Sequence, residues 1–280
     1  MEGMSTQQRT YPHGVPCWID TEQPDPAAAA EFYSGLFGWT LTDAVPPDAP
    51  GTYLIATLDG KDVGGIGPGE GSPVWHTYIA VDDAEAAATA VTAAGGTVTG
   101  GPQDVGPGGR WVGVTDPAGA AVRLWQPRKR LGSQIVNAPG TWNFSNLHTG
   151  DRSVLDFYTK TFGWEVESID GGEYVTMIRV PGYGDHLAAT ADPDIYERQS
   201  GGLTPPGFAD VVGWVKPTEP GARPHWEVAF TVADRDDSVA TVERLGGKVV
   251  SSSETEWTRE AVVTDPQGAT LTLSQFTPPS

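Results

Sequence analysis

Few side chains among these 280 residues suit acid–base or covalent chemistry: there is one cysteine, Cys17, and there are five histidines, at positions 13, 76, 148, 186 and 225. A lone thiol can form neither an intramolecular disulfide nor a thiolate-rich metal cluster. By residue type, Asp20, His76 and Arg123 offer a proton acceptor, a second acid or base, and a cation able to stabilise an oxyanion. Together they would make a metal-free site if all three face one cavity. His148, His186, His225 and Glu227 are further donors, but nothing in their spacing forces them to converge. No Gly-x-Ser-x-Gly elbow occurs. Gly64-Gly65-Ile66-Gly67 and Gly106-Pro107-Gly108-Gly109 lack the spacing of a nucleotide-binding loop and are read as turns.

What could position these groups is a repeated unit. Phe32-Tyr33-Ser34-Gly35-Leu36-Phe37-Gly38-Trp39 returns as Phe157-Tyr158-Thr159-Lys160-Thr161-Phe162-Gly163-Trp164, with aromatics at helical spacing and a glycine placed to end the helix in a left-handed turn. Their first reading is core packing. In the first half a strand over 15–21 alternates, with Cys17 and Ile19 on one face and Trp18 and Asp20 on the other. Asp25 and Pro26 open a helix over 27–37, and strands follow at 40–41, 53–58 and 63–66. A second such βαβββ unit has a strand at 77–81, a helix at 84–94 stopped by Gly95-Gly96, and strands at 97–99, 110–115 and 121–125. The turn Asp116-Pro117-Ala118-Gly119 precedes the last of these.

The second half repeats the order. Strand 142–147, helix 153–162 and strands at 174–179 and 186–189 are followed by strand 226–232, helix 236–245, strands near 249 and at 261–264, the turn Asp265-Pro266-Gln267-Gly268, and strand 270–275. This gives a polar tail over 1–12, a first domain over 13–130, a linker over 131–140 and a second domain over 141–280. The second domain carries an insert near 192–224. The insert holds Tyr196, Phe208 and Trp214, too apolar for an idle linker, and is expected to cover a pocket.

Seventeen basic against 36 acidic residues give a formal charge of -19. Such a charge repels phosphate backbones and anionic head groups, so neither nucleic acid nor a membrane is expected as a partner. A homodimer is compatible with the sequence. Without a signal peptide or a long apolar run, the chain is expected to be soluble and cytoplasmic.

Four tandem βαβββ units, the Phe-Tyr…Phe-Gly-Trp helix and the Asp-Pro-x-Gly turn before each domain's final strand resemble the vicinal oxygen chelate superfamily. That group includes glyoxalase I, extradiol dioxygenases and bleomycin-resistance proteins, and the resemblance spans roughly residues 14–276. The opening Gly-Val-Pro-Cys-Trp-Ile-Asp and the segment Trp75 to Asp83 are similar to two-domain actinobacterial members. The resemblance implies an α+β fold of two domains, each a curled mixed sheet around a cavity. In metal-dependent members, His or Glu on a unit's first strand and Glu on its last strand hold one divalent ion. The matching positions here are Trp18 and Phe144 on first strands, Arg123 and Thr272 on last strands. His76 and Glu227 alone keep ligand chemistry, one per domain, so no metal and no cofactor is expected.

A hollow without an ion leaves aromatics. Trp18, Trp75, Trp125, Phe144 and Trp214 are expected to line it, with Asn146, His225, Glu227 and Thr272 as polar contacts. Each indole can stack on a flat ligand for roughly 0.5 to 1.5 kcal/mol beyond its area burial. His76 reads as a hydrogen-bonding cavity residue or as a core imidazole. Asp20 reads as a proton acceptor or as the ion-pair partner of Arg123. Two functions follow: metal-independent binding of a planar aromatic small molecule, for sequestration or presentation, or a metal-free tailoring enzyme acting on such a compound.

Overall fold

The structure, a computed structural model, describes residues 8–168, 176–200, 204–219 and 221–278. The first module comprises β1 (Pro16–Gln23), α1 (Pro26–Phe37), β2 (Thr40–Asp43), β3 (Leu54–Leu58) and β4 (Lys61–Pro68); the second, β5 (Val74–Ala80), α2 (Ala84–Ala93), β6 (Thr97–Asp104), β7 (Gly109–Thr115) and β8 (Ala121–Pro127). The third has β9 (Trp142–His148), α3 (Leu155–Phe162), β10 (Glu165–Ser168), β11 (Thr176–Arg179), α4 (Tyr183–Ala189), α5 (Ile195–Gln199) and β12 (Val211–Lys216). The fourth has β13 (His225–Thr231), α6 (Arg235–Arg244), β14 (Lys248–Glu254), β15 (Thr258–Thr264) and β16 (Thr270–Phe276). None of the described helices is long and apolar enough to cross a membrane.

Among the described residues the strands make two eight-stranded mixed sheets, ordered β2-β3-β4-β1-β5-β8-β7-β6 and β10-β11-β12-β9-β13-β16-β15-β14. Neither order closes on itself. The local signals behave as their chemistry dictates: Asp25 caps α1 by accepting from the backbone N–H of Ala27 and Ala28, and Gly38 ends it at φ 75°. Gly163 ends α3 in the same way at φ 71°.

The sheets follow the two halves of the chain, whereas compact packing regroups the modules. One unit gathers Met1–Cys17, Tyr78–Gly132 and Ser145–Trp226; the other gathers Trp18–Thr77, Ser133–Phe144 and Glu227–Ser280. Each unit therefore joins a helix from one half to an Asp-Pro turn from the other. In the second unit Tyr33 donates to Asp265 Oδ2 at 2.9 Å and accepts from Trp75 Nε1 at 3.1 Å. In the first unit Tyr158 donates to Asp116 Oδ2 at 2.8 Å and accepts from Trp226 Nε1 at 3.0 Å. Burial and the neighbouring carboxylate hold both phenols well above their ordinary pKa. The repeated tyrosine is a core residue, and its hydroxyl is satisfied by the turn that precedes the last strand of the opposite half.

Two expectations are corrected in the second half. The stretch 186–189 is not a strand but the end of α4, in which Tyr183 and Leu187 are both buried at the i, i+4 spacing of a helix. The strand that completes the third module is β12, inside the stretch 192–224 read as an insert. The added residues form α4, α5 and a 3₁₀ turn at Phe208–Asp210. Asp210 Oδ1 ties that turn to α4 by accepting from Gly184 N at 2.7 Å. Tyr174 and Val175, the expected start of β11, lie outside the described residues.

Candidate functional site

In the unit holding Trp18–Thr77, β1 sends its odd positions into the core. Ile19 belongs to the main apolar cluster, and Gln23 Nε2 donates to Asp265 Oδ2 at 2.7 Å. Trp18, Asp20 and Glu22 take the other face, where β4 presents Gly65 opposite Asp20 and Gly67 opposite Glu22. These glycines lie within a strand and are not a turn. Tyr53 explains them: a Cβ on Gly65 would stand 2.4 Å from its phenol oxygen, and one on Gly67 would stand 3.3 Å from its ring. Glycine inside a strand often marks this kind of close approach. Over the cleared ground, Trp18 Nε1 donates to the Tyr53 hydroxyl at 3.0 Å, and that hydroxyl donates to Asp20 Oδ2 at 2.9 Å. Asp20 is only 1% exposed, so its carboxylate needs such donors. On the same face Glu22 Oε2 lies 3.4 Å from His76 Nε2.

The unit holding Tyr78–Gly132 uses the same device. Tyr78 on β5 pairs with Arg123 on β8, and across β7 Trp111 stands opposite Trp125 and Gly113 opposite Arg123. The Arg123 guanidinium lies 5.5 Å from the Tyr78 ring centre and 5.3 Å from that of Trp111, and its Nη1 donates to the Tyr78 hydroxyl at 2.8 Å. A cation held between two aromatic faces is a stabilising contact of about 0.5–1 kcal/mol per ring at partly exposed sites. Glycine again makes the room. A Cβ on Gly100 or Gly113 would come within 3.1 Å of Trp111, and one on Gly109 would come within 2.6 Å of Trp125. Trp125 also donates from Nε1 to Arg130 O at 2.8 Å.

The remaining expected residues do not gather at one place. Trp75 is corrected from a ligand-binding residue to a core residue: it is 4% exposed, and its indole N–H is taken by Tyr33. Strand alternation puts Trp75 and His76 on opposite faces of β5, so both could not line one hollow. Glu227 accepts from Thr272 Oγ1 at 2.5 Å, with Thr272 fully buried; Phe144 is half-buried and Asn146 buried on β9. His225 stacks on His148, with ring centres 4.7 Å apart and planes 13° from parallel, and its Nδ1 donates to Arg223 O. Trp214 stands on β12 opposite Met177, 6.2 Å from Phe208. Asp20 and His76 share one unit, while Arg123 belongs to the other.

The donor set does not fit a divalent ion held by three protein ligands. Indole, phenyl and guanidinium occupy Trp18, Phe144 and Arg123, and the Thr272 hydroxyl is spent on Glu227. His186 is held by Thr10, whose Oγ1 lies 2.9 Å from Nε2. Among the described residues, no three His, Cys, Asp or Glu side chains gather to hold a metal. Tyr53, Tyr78 and Glu22 escaped the sequence reading. The glycine run opposite Tyr53 was the available signal for the first of them.

Tandem βαβββ modules in two eight-stranded mixed sheets define the vicinal oxygen chelate fold. The chain belongs to the Glyoxalase/Bleomycin resistance protein/Dioxygenase superfamily, whose profile matches residues 23–124, with a glyoxalase-like domain matching residues 149–274. It is 35% identical to CFP32 of Mycobacterium tuberculosis, which bears a glyoxylase name, over 96% of this chain and 97% of that protein. It is 34% identical to the anthracycline biosynthesis protein DnrV of Streptomyces peucetius, over 94% of each chain. The Mn(II)-bound glyoxalase of Novosphingobium aromaticivorans shares the fold, with a TM-score of 0.59 at 14% identity over 94% of this chain and 82% of that one.

Proposed function

We propose that this protein binds a flat, polycyclic aromatic small molecule of the anthracycline kind on its aromatic sheet faces, without a metal ion. The observation that carries the reading is the clearing of those faces by glycine: Tyr53 lies over Gly65 and Gly67, and Trp111 over Gly100 and Gly113. A sheet face of this make-up presents rings to a planar guest, and Arg123 adds a cation with a delocalised plane. The similarity to an anthracycline biosynthesis protein along nearly the whole chain supports the same class of ligand. Two or three stacking contacts of roughly 0.5 to 1.5 kcal/mol each, added to apolar burial, are enough for affinity of about micromolar order once association costs are met.

The test is titration of the protein with alizarin and with an anthracyclinone, following tryptophan quenching before and after exhaustive chelation. Saturable, one-to-one quenching that survives chelation is expected. Quenching that never saturates, or that returns only with added metal, would overturn the reading.

A further inference from the structure

We infer that Glu22 and His76 form an acid–base pair that moves a proton on the bound aromatic, which makes the protein an enzyme as well as a binder; this rests on the binding reading above. Both residues lie in the unit of Trp18–Thr77. Alternation places Glu22 on the Trp18 and Asp20 face of β1, and His76 on the side of β5 away from buried Trp75. His76 Nε2 is shielded from solvent and makes no hydrogen bond, yet the Glu22 carboxylate stands 3.4 Å from it. That is ion-pair range. The His76 side chain is 13% exposed and that of Glu22 36%, so the imidazole is enclosed but can be reached.

A carboxylate facing Nε2 favours the tautomer that carries its proton there, which puts the lone pair on Nδ1. It also stabilises the imidazolium formed when the ring takes its second proton, at Nδ1, as the acid does in a carboxylate–histidine couple. The substrate class is a fused-ring ketone with a C–H acidified by the carbonyl, either beside it or in conjugation with it across the ring. In the step, Nδ1 takes the C–H proton, the C–H electron pair forms a carbon–carbon π bond conjugated to the carbonyl, directly or by shifting the π bonds of the intervening ring, and the carbonyl π pair moves onto oxygen. The imidazolium then returns a proton to carbon. Return to the same carbon is exchange, and return to another is isomerisation; no oxidant or reductant is consumed. His76 is the catalytic residue and Glu22 a positioning residue.

Anthrone is a suitable probe, being flat, tricyclic and acidic at C10. Deuterium uptake at C10 is read by mass spectrometry in anaerobic D2O, and binding is read in the same samples by tryptophan quenching. The wild-type protein is expected to raise uptake at least tenfold above buffer. His76→Gln and His76→Asn should fall to the buffer rate while saturable quenching is retained. Glu22→Gln should lose about tenfold and Glu22→Asp should recover part of it, a rescue that a purely structural pair would not show. Equal uptake by the wild type and both His76 variants, with saturable quenching intact, would overturn the acid–base role alone. Absence of saturable quenching by anthrone would count against the binding reading itself.

Discussion

The phenol of Tyr53 reaches Asp20 Oδ2 at 2.9 Å from a position that glycine at 65 leaves open, because a Cβ there would stand 2.4 Å from the phenol oxygen. The near-complete burial of Asp20 makes this contact matter. A buried carboxylate that loses a donor carries a desolvation cost that water cannot relieve.

Gly65→Ala is therefore expected to swing the Tyr53 ring away rather than unfold the sheet, since the clashing atom is the far end of a side chain. In a Tyr53→Ala background the same substitution should cost much less. The coupling in a double-mutant cycle, measured by urea unfolding, should be on the order of 1 kcal/mol. Equal costs in both backgrounds would show that Gly65 serves the backbone and not Tyr53.

Arg123→Lys keeps the charge but loses the plane that lies between Tyr78 and Trp111. Affinity for alizarin, read by fluorescence, should weaken about two- to fivefold, as expected for a cation–π contact of roughly 0.5–1 kcal/mol. Arg123→Met should weaken it at least as much. Unchanged affinity in both variants would remove Arg123 from the binding face.

Removing the core hydroxyl by Tyr33→Phe leaves Asp265 without one donor and Trp75 without its acceptor. The expected loss is about 1–3 kcal/mol in urea unfolding. Asp265→Ala should cost roughly 3 kcal/mol or more, because Oδ1 also accepts the backbone N–H of Gln267, Gly268 and Ala269. A similar loss for both variants would mean that the turn does not depend on its aspartate.

Burial raises the Asp116 carboxyl above the usual carboxylate pKa, against the lowering effect of Tyr158 and the turn amides. The folded state thus holds this proton more tightly than the unfolded chain does. The contribution to stability is fully present below the unfolded pKa and is lost as pH rises through the folded one. In Asp116→Asn that loss disappears, so the stability advantage of the wild type over the variant should shrink with rising pH across the acidic range. Urea midpoints taken between pH 4 and 7 would show it; an advantage that grows with pH would contradict the raised pKa.

Much of the chain was readable from its own order. The helix start at Asp25, left-handed stops at Gly38 and Gly163, the alternation of β1 and both Asp-Pro turns are settled within a few residues, by caps, φ preferences and periods of 3.6 and 2. The order of four βαβββ units follows from these, whereas the scarcity of metal donors rests on the residue types at positions that the family resemblance marks. Long-range partnership was not readable in this way. That Tyr33 answers to Asp265 and Tyr158 to Asp116, that Tyr53 lies over Gly65, and that Glu22 meets His76 depend on which modules pack together and how far a side chain reaches across a sheet. The stretch 186–189 shows the same limit from the other side: four residues fit a strand or a helix equally well, and burial of Tyr183 together with Leu187 chose the helix. Short-range chemistry names the elements, but a carboxylate's partner is decided only when packing removes water from it.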